Sequence, residues 1–371
     1  MRPWIQEKLE RMEALYPPER IAQSKARWRA LWLGEAPLDR IPFTFSPIHL
    51  PYYDAGIPWE KRLAAYLDEM LIHGELEDDF IPCFFPGCRQ ATIPSMMGAE
   101  EIIMYAPNGT PDFACRPAIA PDADPLCLPT PSLAHSIAQA FIDMQRIVLE
   151  ETEGRLHINI CDMQGPADVA GQLWSYTEML AAAYESPEVF HSVMRKATDA
   201  FCLFLSAQRA CIGEALCSNT HLHAWSWMPF SAGASLSMDS IVMVSPAFYE
   251  EFFRPYVVEI ARRFGGVVIH SCGNFAHMFP TLCATEGVRG IHAGTMSLRD
   301  MVDGGLPQEI VACCGIPEGE CEQWFPRMRE RKLRANLSVW GLWGGPRMED
   351  WDWSAIRKRA QTINDLARME A

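Results

Sequence analysis

The chain has 371 residues, 49% hydrophobic and 21% charged, so it can bury a large core without disulfide or metal staples. Its net charge of −15 argues against a nucleic-acid or anionic-membrane partner, because either would repel an acidic protein. The thirteen cysteines are scattered, and neither an apolar leader nor a membrane-length apolar run is present, so we expect a reduced, cytoplasmic protein.

The first third of the chain predicts helices followed by irregular structure. Residues 5–33 carry apolar side chains at helical spacing, which predicts a helical extension over 1–35. A short strand is predicted at 43–45. Residues 78–128 hold many prolines and glycines between short apolar runs. We interpret 78–128 as strands and loops that elaborate the mouth of the main fold and not as a separate domain.

From residue 155 onward, short apolar strands alternate with helical patterns. Such alternation implies a parallel sheet, and a closed (β/α)8 TIM barrel fits the length best. An open doubly wound sheet is the alternative, but no Gly-x-Gly-x-x-Gly turn follows a strand. We therefore assign 1–371 to one α/β barrel domain. Strands are predicted at 156–160, 214–218, 266–269, 288–292, 310–314 and 337–340, and helices within 167–213 (two, broken at 186–187), 245–264, 297–303, 319–334 and 350–369.

Two metal-ligating side chains end the strand predicted at 266–269. His270 and Cys272 are two positions apart, so they project to one face, with α-carbons roughly 6.5 Å apart. An imidazole nitrogen and a thiolate sulfur at that spacing both reach one tetrahedral zinc ion. Since barrel active sites lie at the carboxyl ends of the strands, the pair predicts a zinc site there. The alternative is a small polar pair without metal.

A zinc site needs at least a third protein ligand. Cys313 and Cys314 end the strand two units further on, and only one of them can face the mouth because strand neighbours point to opposite faces. His292, which ends the strand in between, is the competing ligand. For both cysteines the alternative is simple packing, since free cysteine is often buried.

Polar and aromatic side chains follow another strand candidate, the one at 214–218. His221 and His223 repeat the two-residue spacing of a ligand pair, and Trp225 comes next. We assign these three residues to a substrate-binding wall, with a second metal site or an ordinary loop as the alternatives.

Three further residues are assigned to substrate binding. They are Asp239, Asn274 and His292. Asp239 comes shortly before the helix at 245–264, so capping a helix is its alternative role.

A long motif lies between 245 and 274. It reads S-P-A-F-Y-E-E-F-F-R-P-Y over 245–256 and H-S-C-G-N over 270–274. With these residues the chain resembles the uroporphyrinogen decarboxylase superfamily, which includes the decarboxylases and the zinc-dependent cobalamin methyltransferases. Supporting matches lie at 39–42, 165–166 and 186–188. The resemblance implies a (β/α)8 barrel.

Two departures from the family patterns bear on the activity. The decarboxylases carry an arginine-rich segment near the N-terminus, but residues 40–47 here read R-I-P-F-T-F-S-P, which removes the bidentate partners of a polyacid. The methyltransferases bind zinc through His-x-Cys and a distant Cys after the last strand. His270 and Cys272 match the pair, but residues 340–345 read W-G-L-W-G-G. Either Cys313 or Cys314 substitutes, or the metal site is altered.

The resemblance therefore implies a zinc-dependent methyltransferase more than a decarboxylase. Zinc at His270 and Cys272 would stabilise the thiolate of a small-molecule substrate. That thiolate would take a methyl group from a corrinoid carried by a partner protein. Two other hypotheses stay open: a metal-free decarboxylase, and a non-catalytic ligand-binding barrel.

Overall fold

The computed structural model describes residues 1–35, 37–46, 57–87, 89–105, 111–218, 226–343 and 351–368. Helices and strands alternate along most of this length. No helix in the described part of the chain is both long and apolar enough to cross a bilayer. The strands of the described residues are β1 (Phe43–Phe45), β2 (Cys83–Phe84), β3 (Glu100–Tyr105), β4 (Pro111–Arg116), β5 (His157–Asn159), β6 (Cys217–Ser218), β7 (Ala234–Ser237), β8 (Val267–Ser271), β9 (Val288–Ala293), β10 (Val311–Pro317) and β11 (Ala335–Trp340).

Helices surround the strands and precede them at the N-terminus. A five-residue π-helix, Tyr249–Phe253, joins α8 to α9, so that one long helix runs through this region. The α-helices of the described residues are α1 (Pro3–Leu15), α2 (Pro18–Leu33), α3 (Trp59–His73), α4 (Ile137–Glu151), α5 (Pro166–Trp174), α6 (Tyr176–Glu185), α7 (Pro187–Ile212), α8 (Pro246–Phe248), α9 (Arg254–Phe264), α10 (Phe279–Cys283), α11 (Leu298–Asp303), α12 (Cys321–Arg331) and α13 (Trp353–Ala367).

The wall of the fold consists of two arcs of parallel strands. One arc has the order β1-β11-β10-β9-β8-β7 and the other has the order β2-β5-β6. Every pairing within both arcs is parallel. Among the named strands of the described residues, β3 and β4 pair antiparallel and form a separate hairpin. Parallel pairing places all strand carboxyl ends at one rim, which we call the mouth.

Hydrogen bonds link the two arcs at two places. Between β1 and β2, the Asp79 N–H donates to the Phe43 carbonyl at 2.9 Å. The Asp79 carboxylate in turn accepts from the Phe43 N–H at 3.2 Å. Between β5 and β7, the Gly165 N–H donates to the Ser237 carbonyl at 2.6 Å, and the Ser237 N–H donates to the Met163 carbonyl at 2.8 Å. The two parallel arcs and these links agree with the predicted (β/α)8 TIM barrel, whereas the assignment of 1–371 to a single domain stays a prediction.

Side chains alternate between the inside of the barrel and the layer of helices. On β8, Ile269 belongs to the main hydrophobic core between wall and helices, while Val268 belongs to a smaller cluster inside the barrel. That smaller cluster includes Trp32, whose indole N–H donates to the Trp227 carbonyl at 3.1 Å. Helix α2 therefore covers the amino-terminal end of the barrel, which we call the floor.

Several elements differ from the sequence prediction. The helical extension is two helices, α1 and α2, because Pro17 separates them. The region 167–213 holds three helices and not two, since Ser175 adopts a φ of 89° and ends α5 while it caps α6. Residues 78–128 contribute β2 to the wall besides the β3–β4 hairpin. The two strand residues of β2 are too few to give a periodic signal.

Asp79 holds two guanidinium groups at the junction of β1 and β2. Its fully buried carboxylate accepts from Arg27 at 3.0 Å and from Arg40 at 2.8 Å. We expect Asp79→Asn to lower the free energy of unfolding by roughly 3–5 kcal/mol, because it removes the buried anion that Arg27 and Arg40 share. Asp39→Asn removes an exposed partner of Arg27 and should cost under about 1 kcal/mol. Equal losses in urea denaturation of the two variants would contradict this interpretation.

The buried His157 makes the stability of the fold depend on pH. Burial, and then the positive charge of Lys25, lower the pKa of His157 to about 3. Because the unfolded chain protonates this histidine near pH 6.5 and the folded chain near pH 3, stability is complete above pH 6.5 and falls as the pH drops toward 3. Each pH unit in that window costs about 1.4 kcal/mol.

We therefore expect His157→Asn to lose less stability than the wild type between pH 7 and pH 4, measured by chemical denaturation at each pH. His135→Asn is the matched control, since His135 is exposed and its φ of 61° suits asparagine. The interpretation fails if the wild type and His157→Asn show the same slope.

Candidate metal centre

Three ligand-type side chains converge at the mouth, where β7 and β8 end. Asp239 follows β7, His270 lies on β8, and Cys272 comes directly after β8. One ligand atom from each lies within 4.8 Å of the other two. The His270 Nε2 atom is 3.2 Å from the Cys272 Sγ atom, as expected for side chains two positions apart on one strand face. We call this group the triad.

The strand pairing fixes His270, and hydrogen bonds fix the two other members. His270 pairs in register with Ser237 on one side and His292 on the other, and it is buried. Cys272 is exposed, and its N–H donates to the Asp239 carboxylate at 2.6 Å. The Asp239 side chain thus bridges two strand ends.

A buried carboxylate on α5 supports the turn that carries Asp239. Asp168 accepts from the N–H of Asp239 at 2.7 Å and from the N–H of Ser240 at 2.8 Å. Burial raises the pKa of Asp168 to about 7, although these hydrogen bonds favour its ionised form. Asp168 therefore positions Asp239 without being a member of the triad.

The electrostatic field at Cys272 is negative. Partial burial, followed by the charges of Asp239 and Asp162, raises the pKa of Cys272 to about 11, with a smaller contribution from Asp168. A thiol in this field stays protonated at neutral pH. A divalent cation at the triad would offset these carboxylates and favour the thiolate.

The donor set of the triad fits zinc. Zinc in proteins takes nitrogen, sulfur and carboxylate oxygen ligands. A tetrahedral ion with Zn–N of about 2.0 Å and Zn–S of about 2.3 Å separates those two donors by about 3.5 Å. The 3.2 Å between His270 Nε2 and Cys272 Sγ is close to that value. Three protein donors is also the number in catalytic zinc sites, which keep one position for substrate or water.

A cavity of about 280 Å³ lies inside the barrel beside the triad. Trp32 lines it at the floor, and the half-exposed Trp340 lines it at the mouth. His292 and Gly294, on and just after β9, form the wall nearest β8. The ring of His292 stands 4.6 Å from that of His270. The cavity and the triad therefore share one wall.

Neither of the two predicted cysteine ligands belongs to the triad. Cys313 pairs in register with His292, which in turn pairs with His270. Two strand spacings, about 10 Å, thus separate Cys313 from His270 along the wall. Cys313 belongs to the cluster inside the barrel, and Cys314 belongs to the core outside it. Ligation by either cysteine stays a prediction that this arrangement does not favour.

The predicted substrate-binding residues are divided among three places. His292 lines the cavity, whereas Asp239 lies in the triad. Asn274 is exposed, and its side-chain oxygen accepts from the Ala276 N–H at 3.0 Å, so it stabilises a local turn. The remaining three assignments, His221, His223 and Trp225, lie outside the described residues.

The carboxylates that surround the triad were not predicted from the sequence. Asp162 follows β5, and Asp168 lies in the first turn of α5. A signal was present, because both residues come after a predicted strand and flank Gly165 and Pro166. Acidic residues after a barrel strand are candidates for the active-site rim.

Comparisons with known proteins agree with this architecture. The sequence profile described as "Uroporphyrinogen decarboxylase (URO-D)" matches residues 88–303, which is more than half of the chain. No curated protein has a sequence that matches significantly. Among solved structures, a methyltransferase from Methanosarcina mazei superposes with a TM-score of 0.61 at 16% identity, covering 92% of this chain and 98% of that one. At this identity the superposition shows a shared fold. By the profile match, the chain belongs to the uroporphyrinogen decarboxylase family.

Proposed function

We propose that this protein is a zinc-dependent methyltransferase that moves a methyl group between a corrinoid carrier and a small thiol. The observation that carries the proposal is the triad of Asp239, His270 and Cys272 at the barrel mouth, next to a cavity. Nitrogen, sulfur and oxygen donors at this rim are the arrangement of a catalytic zinc site. The superposed methyltransferase, which shares the fold, supports the same class of activity.

Zinc bound at the triad would supply the stabilisation of the substrate's thiolate at neutral pH. The residues of the chain provide the rest. His270 and Cys272 hold one edge of the site, and the Asp239 carboxylate fixes the Cys272 main chain. Asp168 positions the turn that carries Asp239 by accepting hydrogen bonds from the N–H groups of Asp239 and Ser240. The barrel cavity keeps the remainder of the thiol out of bulk water.

The methyl transfer requires no additional oxidant or reductant. The substrate sulfur attacks the methyl carbon of the methylated corrinoid, and a carbon–sulfur bond forms. The carbon–cobalt bond breaks, and its electron pair stays on cobalt, which is reduced from Co(III) to Co(I). The thiol proton leaves to solvent. A corrinoid protein that docks at the mouth is the partner that this reaction requires.

The decarboxylase alternative finds no support in the cavity. A substrate with several carboxylates needs arginine or lysine partners when it is buried. No arginine or lysine occurs among the described residues that line the cavity. The experiments below also test whether the protein is a non-catalytic ligand-binding barrel.

The first experiment measures metal content. We expect the purified protein to hold about one zinc per chain and to lose it in His270→Ala/Cys272→Ala, because two of the donors are gone. Asp239→Asn should also lose most of its zinc, and Cys313→Ser should keep it. The zinc content of each folded variant is measured by mass spectrometry. If Asp239→Asn keeps its zinc and Cys313→Ser loses it, the third ligand is Cys313 and not Asp239.

The second experiment measures methyl transfer. We expect zinc-loaded protein to consume methylcobalamin in the presence of a small thiol and to form the methyl thioether. His270→Ala/Cys272→Ala should lower the rate at least 100-fold, since the thiolate is no longer stabilised. Cys127→Ser, an exposed cysteine on the helix side, is the control with an unchanged rate. Zinc binding without transfer would indicate a non-catalytic barrel, and release of carbon dioxide from a carboxylated substrate would indicate a lyase.

A further inference from the structure

The segment that follows β7 contacts the end of β8 at two points. It is a 3₁₀-helix, Asp239–Met243, which we call the 239–243 turn. Its first residue, Asp239, is a member of the triad and accepts the Cys272 N–H at 2.6 Å. Its fourth residue, Val242, lies against Gly273, the residue that follows Cys272. The turn therefore contacts the main chain both before and after the Cys272 α-carbon.

The contact between Val242 and Gly273 leaves no room for a side chain at position 273. A β-carbon there would lie 2.5 Å from the Val242 Cγ1 atom. Carbon atoms that are not bonded to each other pack best at about 3.5–4.0 Å, so this approach is a clash. Valine is branched at its β-carbon and stiff at χ1, so its methyl groups do not yield easily. Glycine at position 273 is thus what permits Val242 to lie this close to the end of β8.

The residue after β9 contacts the same stretch of main chain from the opposite side. The Gly294 N–H donates to the Ser271 carbonyl at 2.9 Å, and a β-carbon at position 294 would lie 2.9 Å from the Cys272 α-carbon. In the sheet, β8 lies between β7 and β9. Close contacts therefore hold the Cys272 main chain on both sides. A push at position 273 is passed on to Cys272, because Gly294 already lies against it.

The effect of Val242 is local, since it is not a core residue. Val242 is 38% exposed, and Met243 beside it is 53% exposed. Substitutions at such surface positions usually change the stability of a fold very little. What the contact with Gly273 does determine is the course of the main chain that carries the Cys272 sulfur. That sulfur lies 3.2 Å from the His270 Nε2 atom, close to the separation of two donors on one zinc ion.

We propose that Val242 is a positioning residue for the metal centre and that it acts through Gly273 on the Cys272 ligand. The inference rests on the proposed function, because it requires a metal ion at the triad. The Val242 side chain is no ligand itself. Its packing on Gly273, together with the hydrogen bond between Cys272 and Asp239, keeps the sulfur and carboxylate donors close enough for one ion. Residues that orient metal ligands in this way commonly set the affinity for the ion.

Compensation between positions 242 and 273 tests the inference. We expect Gly273→Ala to weaken zinc binding roughly 10- to 100-fold, because its β-carbon pushes against Val242 and displaces Cys272. Val242→Ala should also weaken binding, since it leaves Gly273 without its packing partner. In Val242→Ala/Gly273→Ala the clashing Cγ1 atom is gone, and the β-carbons at 242 and 273 would be 3.5 Å apart. We therefore expect this double variant to bind zinc more tightly than either single variant, measured by competition with a chromogenic chelator.

Cobalt(II) in place of zinc adds a spectroscopic readout. The sulfur-to-cobalt charge-transfer absorption should weaken in Gly273→Ala and return in the double variant. Gly319→Ala is the matched control, since a β-carbon at 319 meets no atom within 4 Å, and it should bind both metals like the wild type. Melting temperatures close to that of the wild type show that each variant is folded. Wild-type affinity in Gly273→Ala, or no recovery in the double variant, would overturn the inference.

The inference and the proposed function fail in different ways. If the wild type binds neither zinc nor cobalt, the proposed function is wrong. The contact is then judged in the metal-free protein by the rate at which iodoacetamide alkylates the exposed Cys272, located by mass spectrometry of peptides. We expect Gly273→Ala to change this rate and the double variant to restore it, and an equal rate in all variants would contradict positioning by Val242. If the wild type binds metal and the double variant does not recover, only the inference is wrong.

Discussion

The parallel register of β8 with its two neighbours is the constraint on which the candidate site depends. Pairing of His270 with Ser237 on β7 and with His292 on β9 puts all three side chains at one level inside the barrel. The next inward position is Cys272, directly after β8 at the mouth. A shift of one residue would turn His270 toward the helices and remove both the triad and the wall that it shares with the cavity.

Charge is distributed unevenly across this site. Carboxylates collect around Cys272, on the side of β5, α5 and β7, and raise the pKa of its thiol. The cavity on the side of β9, β10 and β11 is lined by apolar side chains together with hydroxyl, amide, thiol and imidazole groups. The negative field at Cys272 suits a bound cation.

The triad bears on the missing cysteine after the last strand, where the sequence departs from the methyltransferase pattern. Residues 340–345, after the last strand, hold no cysteine, and Cys313 and Cys314 do not join His270 and Cys272. The carboxylate of Asp239 lies beside His270 and Cys272 instead, and it comes from the strand on the other side of β8. A carboxylate in place of a thiolate gives a harder ligand set, which zinc accepts.

The sequence by itself determined the features that depend on near neighbours. Alternation along 266–269 and the residues after it gave the shared face of His270 and Cys272, and the alternation of strands and helices gave the barrel. Only the tertiary structure decided which residues join them. Asp239 lies 33 positions from Cys272, and Asp168 lies 72 positions from Ser240, so their hydrogen bonds follow from closure of the barrel. Strand register and closure are set by the packing of the whole wall, and no local pattern contains them.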